Sequence, residues 1–244
     1  KVHYYEFNNG ELINHVIGET PNVIEFSTQL QFSVDSQYFE TVKFDTETLQ
    51  KELFLISAKY PKAKIHLNNQ ILPSGTMEAF VKWILGIGSA TPLFTINYKT
   101  ALNEEIDVYF TYENGTVPPL GDVNLGLCEG TYLNTFATVY YSSVRSIFEV
   151  PLSRSEVLNG LRYYISLKIK EPKYDSQNKT RMVKNISHLL TNVKTKLSII
   201  LTNSYMQDHF KELIEYKQMR QASKFLKTVG TRVSTNNPLK DCEQ

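Results

Sequence analysis

Phe94-Thr95-Ile96-Asn97-Tyr98 and Ile106-Asp107-Val108-Tyr109-Phe110-Thr111-Tyr112 are the segments that decide how this chain folds. Apolar and aromatic residues recur at every second position in both, and β-branched and aromatic types dominate. That is the pattern of half-buried strands. Asn114-Gly115 marks a turn after the second segment.

Working towards the N-terminus, Ser74-Gly75-Thr76-Met77-Glu78 opens a helix that runs through Trp83 and Leu85 and ends near Gly86. Lys64–Leu67 is predicted as a strand. Asp45 and Thr46 offer an N-cap for a second helix, with Leu49, Leu53, Leu55 and Ile56 as its apolar stripe up to Pro61. Val2–Phe7, Val23–Val34 and Thr41–Phe44 alternate and are predicted as strands.

Towards the C-terminus, Pro118–Gly130 is predicted as loop. Tyr132–Val150 is rich in Thr, Val, Tyr and Phe, so β-propensity favours a strand. Arg162–Ile169 is another strand. From Thr180 to Val229 the apolar spacing becomes helical, interrupted at Thr202-Asn203-Ser204. Ser204 and Gln207 have capping-box spacing, and Gly230 is the expected C-cap. The class is α+β, with a strand-rich body, two intervening helices and a helical C-terminal third. The chain is read as a single domain over 1–244, with residues 1–170 mainly strands plus two helices and 180–230 helical.

The chain has 244 residues, 41% of them hydrophobic and 21% charged, enough to build a core. Two cysteines exclude a disulfide-stapled mini-fold and a four-cysteine zinc site. Net charge is +1, but residues 161–244 hold 16 Lys and Arg against 7 Asp and Glu. Such a basic third suits an acidic partner such as nucleic acid, or the acidic remainder of the same protein. The apolar runs fall far short of the ~20 residues needed to span a bilayer, so no membrane span is expected.

No Gly-x-Ser-x-Gly elbow, paired metal-ligand motif or complete phosphate loop is present. No cofactor or metal is implied. Glu104, Glu105 and Asp107 suit either a glycosidase pair or a solvated strand entrance. Three other residues have a chemical reading beside a bland one. Glu6 lies in the aromatic strand His3-Tyr4-Tyr5-Glu6-Phe7, as a general acid or base or as an outward polar residue. Arg154 follows Pro151-Leu152-Ser153, as a phosphate clamp or a surface arginine. His209 lies early in a basic helix, as a base or a boundary residue.

The order of these residues resembles that in the tRNA-cleaving subunit of zymocin-type yeast killer toxins, whose catalysis depends on an N-terminal glutamate, an arginine past mid-chain and a C-terminal histidine. Glu6, Arg154 and His209 occupy comparable places, with Arg145 and His188 as rivals for the latter two. The resemblance implies a secreted, metal-independent anticodon endonuclease leaving 2′,3′-cyclic phosphate ends. Glu6 and His209 would move protons, and Arg154 would stabilise the phosphorane. Lys194, Lys196, Lys211, Lys217, Arg220 and Lys224 would hold the tRNA backbone. Cys242 would join a carrier subunit. The alternative is a non-enzymatic binding or structural protein, such as a viral or parasite surface or nucleocapsid component.

Overall fold

The computed structural model describes residues 2–8, 10–19, 30–33, 37, 43–72, 75–113, 115–148 and 152–235. The chain divides into two compact units, Lys1–Phe44 and Asp45–Gln244. In the first, strands β1 (Val2–Asn8) and β2 (Glu11–Gly18) pair antiparallel, with a register shift between Glu6 and Phe7. β1 matches the expected strand; β2 was not foreseen. Most of the expected strand Val23–Val34 lies outside the described residues, and its described part, 30–33, has no regular structure.

The second unit runs, in chain order, through α1 (Thr46–Lys59), β3 (His66–Leu67), β4 (Gln70–Ile71), α2 (Met77–Ile84), β5 (Phe94–Lys99), β6 (Glu105–Tyr112), β7 (Leu120–Val123), β8 (Gly126–Leu127) and β9 (Glu129–Gly130). It continues with α3 (Thr131–Phe148), α4 (Arg154–Leu158), β10 (Leu161–Lys168), β11 (Arg181–Met182), α5 (Ser187–Leu201) and α6 (Ser204–Thr235). Five strands form one sheet in the order β5-β6-β10-β7-β8. β10 is antiparallel to β6 and parallel to β7. The class is therefore α+β, as the sequence implies.

Strand alternation gives the sheet two faces. Ile106, Val108, Phe110 and Tyr112 of β6 and Tyr163, Ile165 and Leu167 of β10 point into the larger core, which α3, α5 and the start of α6 complete. Tyr109 and Tyr164 point the other way, onto Leu55 and Ala58 of α1, Phe80 and Val81 of α2, and Leu85 and Ile87. The sheet is thus sandwiched between an α1–α2 layer and an α3–α5 layer.

Two expectations are corrected here. Residues 132–148 are helix, not strand. Tyr132, Leu133, Phe136, Ala137, Tyr140 and Val144 are buried, a stripe at helical spacing that overrides β-propensity. Pro118–Gly130 is not all loop: it supplies β7, an internal strand of the sheet, with β8 and β9. The helix ends follow local chemistry. Asp45 caps α1 by accepting from the amides of Glu47 and Thr48, at 3.0 and 3.3 Å. Gly86, at φ +61°, ends α2. Asn203 rather than Ser204 caps α6, accepting from Tyr205 N at 3.0 Å, and α6 continues through Gly230.

Candidate functional site

The site grows out of β7 and the chain that follows β10. Asn124 exchanges two 3.0 Å hydrogen bonds with the backbone of Ile169, its amide donating to the carbonyl and its oxygen accepting from the N–H. That clamp starts a long excursion over 169–182. The excursion returns as β11, which pairs parallel with β9, Arg181 opposite Glu129. At its tip the Asn178 side-chain oxygen accepts from the hydroxyls of Ser176 and Thr180. The turn places exposed Lys179 at φ +58°.

Between this excursion, the sheet and the α1–α2 layer lies a groove of about 500 Å³. Its floor is Leu120 and Gly121 of β7 with Leu127 of β8. Lys51 of α1 and Ile84 of α2 form one wall. Glu129, Asp175, Thr180 and Arg181 complete the lining. An apolar floor edged by two cations and two carboxylates suits a ligand with a flat apolar part and a charged part. Cys128 also lines the groove, and burial pushes its thiol pKa up, which disfavours the thiolate.

Beside the floor sits a closed polar network. Lys59 Nζ lies 2.5 Å from Asp122 Oδ2 and donates to Ser166 Oγ at 2.7 Å, while Tyr164 OH donates to Asp122 Oδ1 at 2.8 Å. Asp122 is fully buried, and desolvation raises its pKa against the pull of Lys59. Sequence reasoning found none of these groups. Lys51, Lys59, Asp122 and Arg181 are scattered over 130 positions and form no motif.

The residues singled out from the sequence lie elsewhere. Glu6 is exposed on β1, opposite Asn14, within the first unit. Arg154 opens α4 and its Nη1 donates to Thr138 Oγ1 at 3.0 Å. His209 stacks on Tyr112 with ring centroids 3.9 Å apart. A 2.8 Å bridge from Lys217 to Glu156 joins α6 to α4, yet no hydrogen bond or ring contact links Arg154 with His209 among the described residues. Lys194 and Lys196 lie on α5, and Lys196 donates to the Asn97 carbonyl. Lys211, Lys217, Arg220 and Lys224 lie on α6, with Arg220 5.9 Å from the Tyr216 ring centre. Cys242 is outside the described residues. Glu104 pairs with His188 at 3.4 Å and Lys184 at 3.7 Å, and Glu105 with Lys99 at 2.7 Å, which is the pattern of structural ion pairs.

His209 carries a pH prediction. Its Nε2 is buried without a hydrogen-bond partner among the described residues, and desolvation lowers its pKa below the ordinary 6.5. Above pH 6.5 the ring is neutral both folded and unfolded, and contributes no pH dependence. Below 6.5 the unfolded chain takes up a proton that the fold resists, so stability falls until the lowered folded pKa is passed. Urea unfolding at pH 7.5 and 5.5 checks this. The wild-type loss on acidification should shrink in His209→Phe; an identical loss in both proteins would refute it.

No family model matches the chain. It is 25% identical over 180 residues to the B subunit of DNA gyrase from Borrelia hermsii, a match covering 64% of this chain and 28% of the relative. The topoisomerase IV ATP-binding domain of Francisella tularensis, solved with a small-molecule inhibitor, superposes with a TM-score of 0.54 at 18% identity. That match covers 77% of this chain and 57% of the other. The ATPase region of Saccharomyces cerevisiae topoisomerase II matches at 0.50 and 15%, over 67% of this chain and 43% of that one. The shared fold is that of topoisomerase ATP-binding regions. The chain spans just over a quarter of the curated relative and little more than half of the first solved domain.

These matches overturn the toxin resemblance and what it implied. The proteins to which the chain is similar are a gyrase subunit and topoisomerase ATP-binding regions, not a secreted, RNA-cleaving killer-toxin subunit with a tRNA partner and a carrier chain. The alternative of a surface or nucleocapsid protein finds no support either. Glu6, Arg154 and His209 thus lose the reaction for which they were singled out. Among the described residues no helix is long and apolar enough to cross a membrane.

Proposed function

We propose that this chain is part of the ATP-dependent machinery of a DNA topoisomerase of the gyrase B kind. The observation that carries this is the agreement of two comparisons. Sequence similarity over 180 residues and chain-path similarity over 77% of the chain select the same class of protein. The groove supports it. Its volume of about 500 Å³ is of the size of a nucleotide site, and Lys51 and Arg181 are the cations on its lining, beside the carboxylates of Glu129 and Asp175. The excess of cations in residues 161–244 suits a DNA backbone as the second partner.

Calorimetric titration of the chain with the β,γ-imido analogue of ATP and magnesium tests this. Charge-assisted hydrogen bonds contribute about 1.5–3 kcal/mol each, so Lys51→Ala with Arg181→Ala should weaken binding at least about tenfold. A folded chain that takes up no analogue at millimolar concentration would overturn the assignment.

A further inference from the structure

Among the described residues of the first unit, β1 and β2 form a two-stranded sheet. Its register sets His3 opposite Ile17 and Tyr5 opposite His15. Directly opposed residues share a face, and so do residues two apart on one strand. His3, Tyr5, His15 and Ile17 therefore line one face, with the two imidazoles as diagonal neighbours across the strands. All four are exposed. Twelve positions separate the histidines in the chain, so no short-range motif announces them; the hairpin brings them together.

The rings are ordered along that face. Tyr5 stacks on His15 with centroids 4.3 Å apart and planes 4° from parallel, and His15 stands 5.6 Å from His3 at 19°. His3 Nδ1 and His15 Nε2 lie 3.3 Å apart. That is longer than the usual span of about 2.7–3.2 Å for an N–H donor. It matches the span across a shared tetrahedral ion. Two zinc–nitrogen bonds of about 2.0–2.1 Å, meeting at the tetrahedral angle, hold their nitrogens about 3.3–3.4 Å apart. At the right angle between neighbouring ligands of a square-planar or octahedral ion, the same bonds would hold them about 2.9 Å apart. Aiming both lone pairs at one ion requires the rings to tilt towards a common apex, which exposed side chains on paired strands are free to do.

We infer that His3 and His15 form a two-histidine zinc site that staples β1 to β2. The ring protons sit on the far nitrogens, His3 Nε2 and His15 Nδ1, and the facing nitrogens donate their lone pairs to the ion. Water fills the other two positions of the tetrahedron. Two strands alone are marginally stable in water, and an ion held only by the paired strands stabilises the pairing by mass action. Two ligands are half the set of a structural zinc site, which places the Kd on the order of 1–200 µM.

The test is a calorimetric titration of zinc chloride into the chain and into His3→Ala, His15→Ala and His66→Ala. The last removes an exposed histidine of β3, outside the first unit. Amide hydrogen exchange of β1 and β2 is read with and without 1 mM zinc. Wild type and His66→Ala should bind zinc equally, and the ion should slow exchange of the β1 and β2 amides by about fivefold or more. His3→Ala and His15→Ala should each bind at least about tenfold more weakly and lose that protection.

No uptake by wild type at millimolar zinc would overturn the inference. So would wild-type affinity in either hairpin variant, because the ion would then need only one of the two rings or sit elsewhere. Should an alanine variant lose the β1–β2 pairing without zinc, the ring resonances of the wild-type chain decide. Shifts of His3 and His15 that saturate together on addition of zinc support the site, and a shift of one ring or of neither overturns it.

Discussion

Phe136→Ala should lower the unfolding free energy by about 3–5 kcal/mol, whereas Asn134→Ala, two residues earlier, should change it by less than about 0.5 kcal/mol. Phe136 is fully buried on α3, with ring centroids 5.1 Å from Tyr163, 5.9 Å from Tyr140 and 6.4 Å from Phe110. Truncation removes a ring from the centre of the larger core, and neighbours anchored on two strands and a helix have little freedom to close the gap. Asn134 is exposed. In a strand, residues two apart share a face, so the two substitutions would have similar consequences. In a helix they lie on opposite sides. At about 2–4 °C per kcal/mol for a domain of this size, the Phe136 variant should melt about 6–20 °C lower, by calorimetry. Equal effects at both positions would mean that 131–148 does not pack as a helix.

That stretch also shows where the sequence stops being legible. Tyr132, Thr135, Thr138, Val139, Tyr140 and Tyr141 all favour strands, and composition conceals a stripe at helical spacing that only tertiary packing makes decisive. Where period and propensity agree, as in β5, β6, β10 and α1, the elements follow directly from the residues. The break at Thr202-Asn203 between α5 and α6 is likewise visible in the chain. The order of strands is not. β7 is four residues containing a glycine, and its place beside β10 depends on a parallel pairing across some forty residues.

The groove was invisible for a similar reason. Its cations, Lys51 and Arg181, are 130 positions apart, and the partners Lys59 and Asp122 are 63 positions apart. Linear order drew attention to Glu6, Arg154 and His209 because they follow one another in the Glu, Arg, His order of the toxin resemblance. In the fold, Arg154 meets a threonine and His209 a tyrosine ring.

Gly121→Ala should destabilise the protein by about 3 kcal/mol or more and abolish binding of the ATP analogue. A Cβ at this position would stand 2.4 Å from the carbonyl oxygen of Ile165 and 2.4 Å from the hydroxyl of Tyr132. Neither neighbour can yield cheaply. The first is the backbone of β10, fixed by its pairing with both β6 and β7. The second belongs to a fully buried ring whose hydroxyl donates to the Cys128 carbonyl. Overpacking a core usually costs about 1–3 kcal/mol, and obstruction by backbone on one side puts this case at the upper end. Relief requires β7 to move away from β10, which displaces Leu120 and Asp122 and with them the groove floor and the anchor of Lys59. Gly126→Ala is the control, since the nearest atom to its added Cβ is the Val123 carbonyl oxygen at an ordinary 3.7 Å. It should melt within about 2 °C of wild type. If Gly121→Ala were equally silent, the parallel register that sets Gly121 beside Ile165 would be wrong, and the groove would have a different floor.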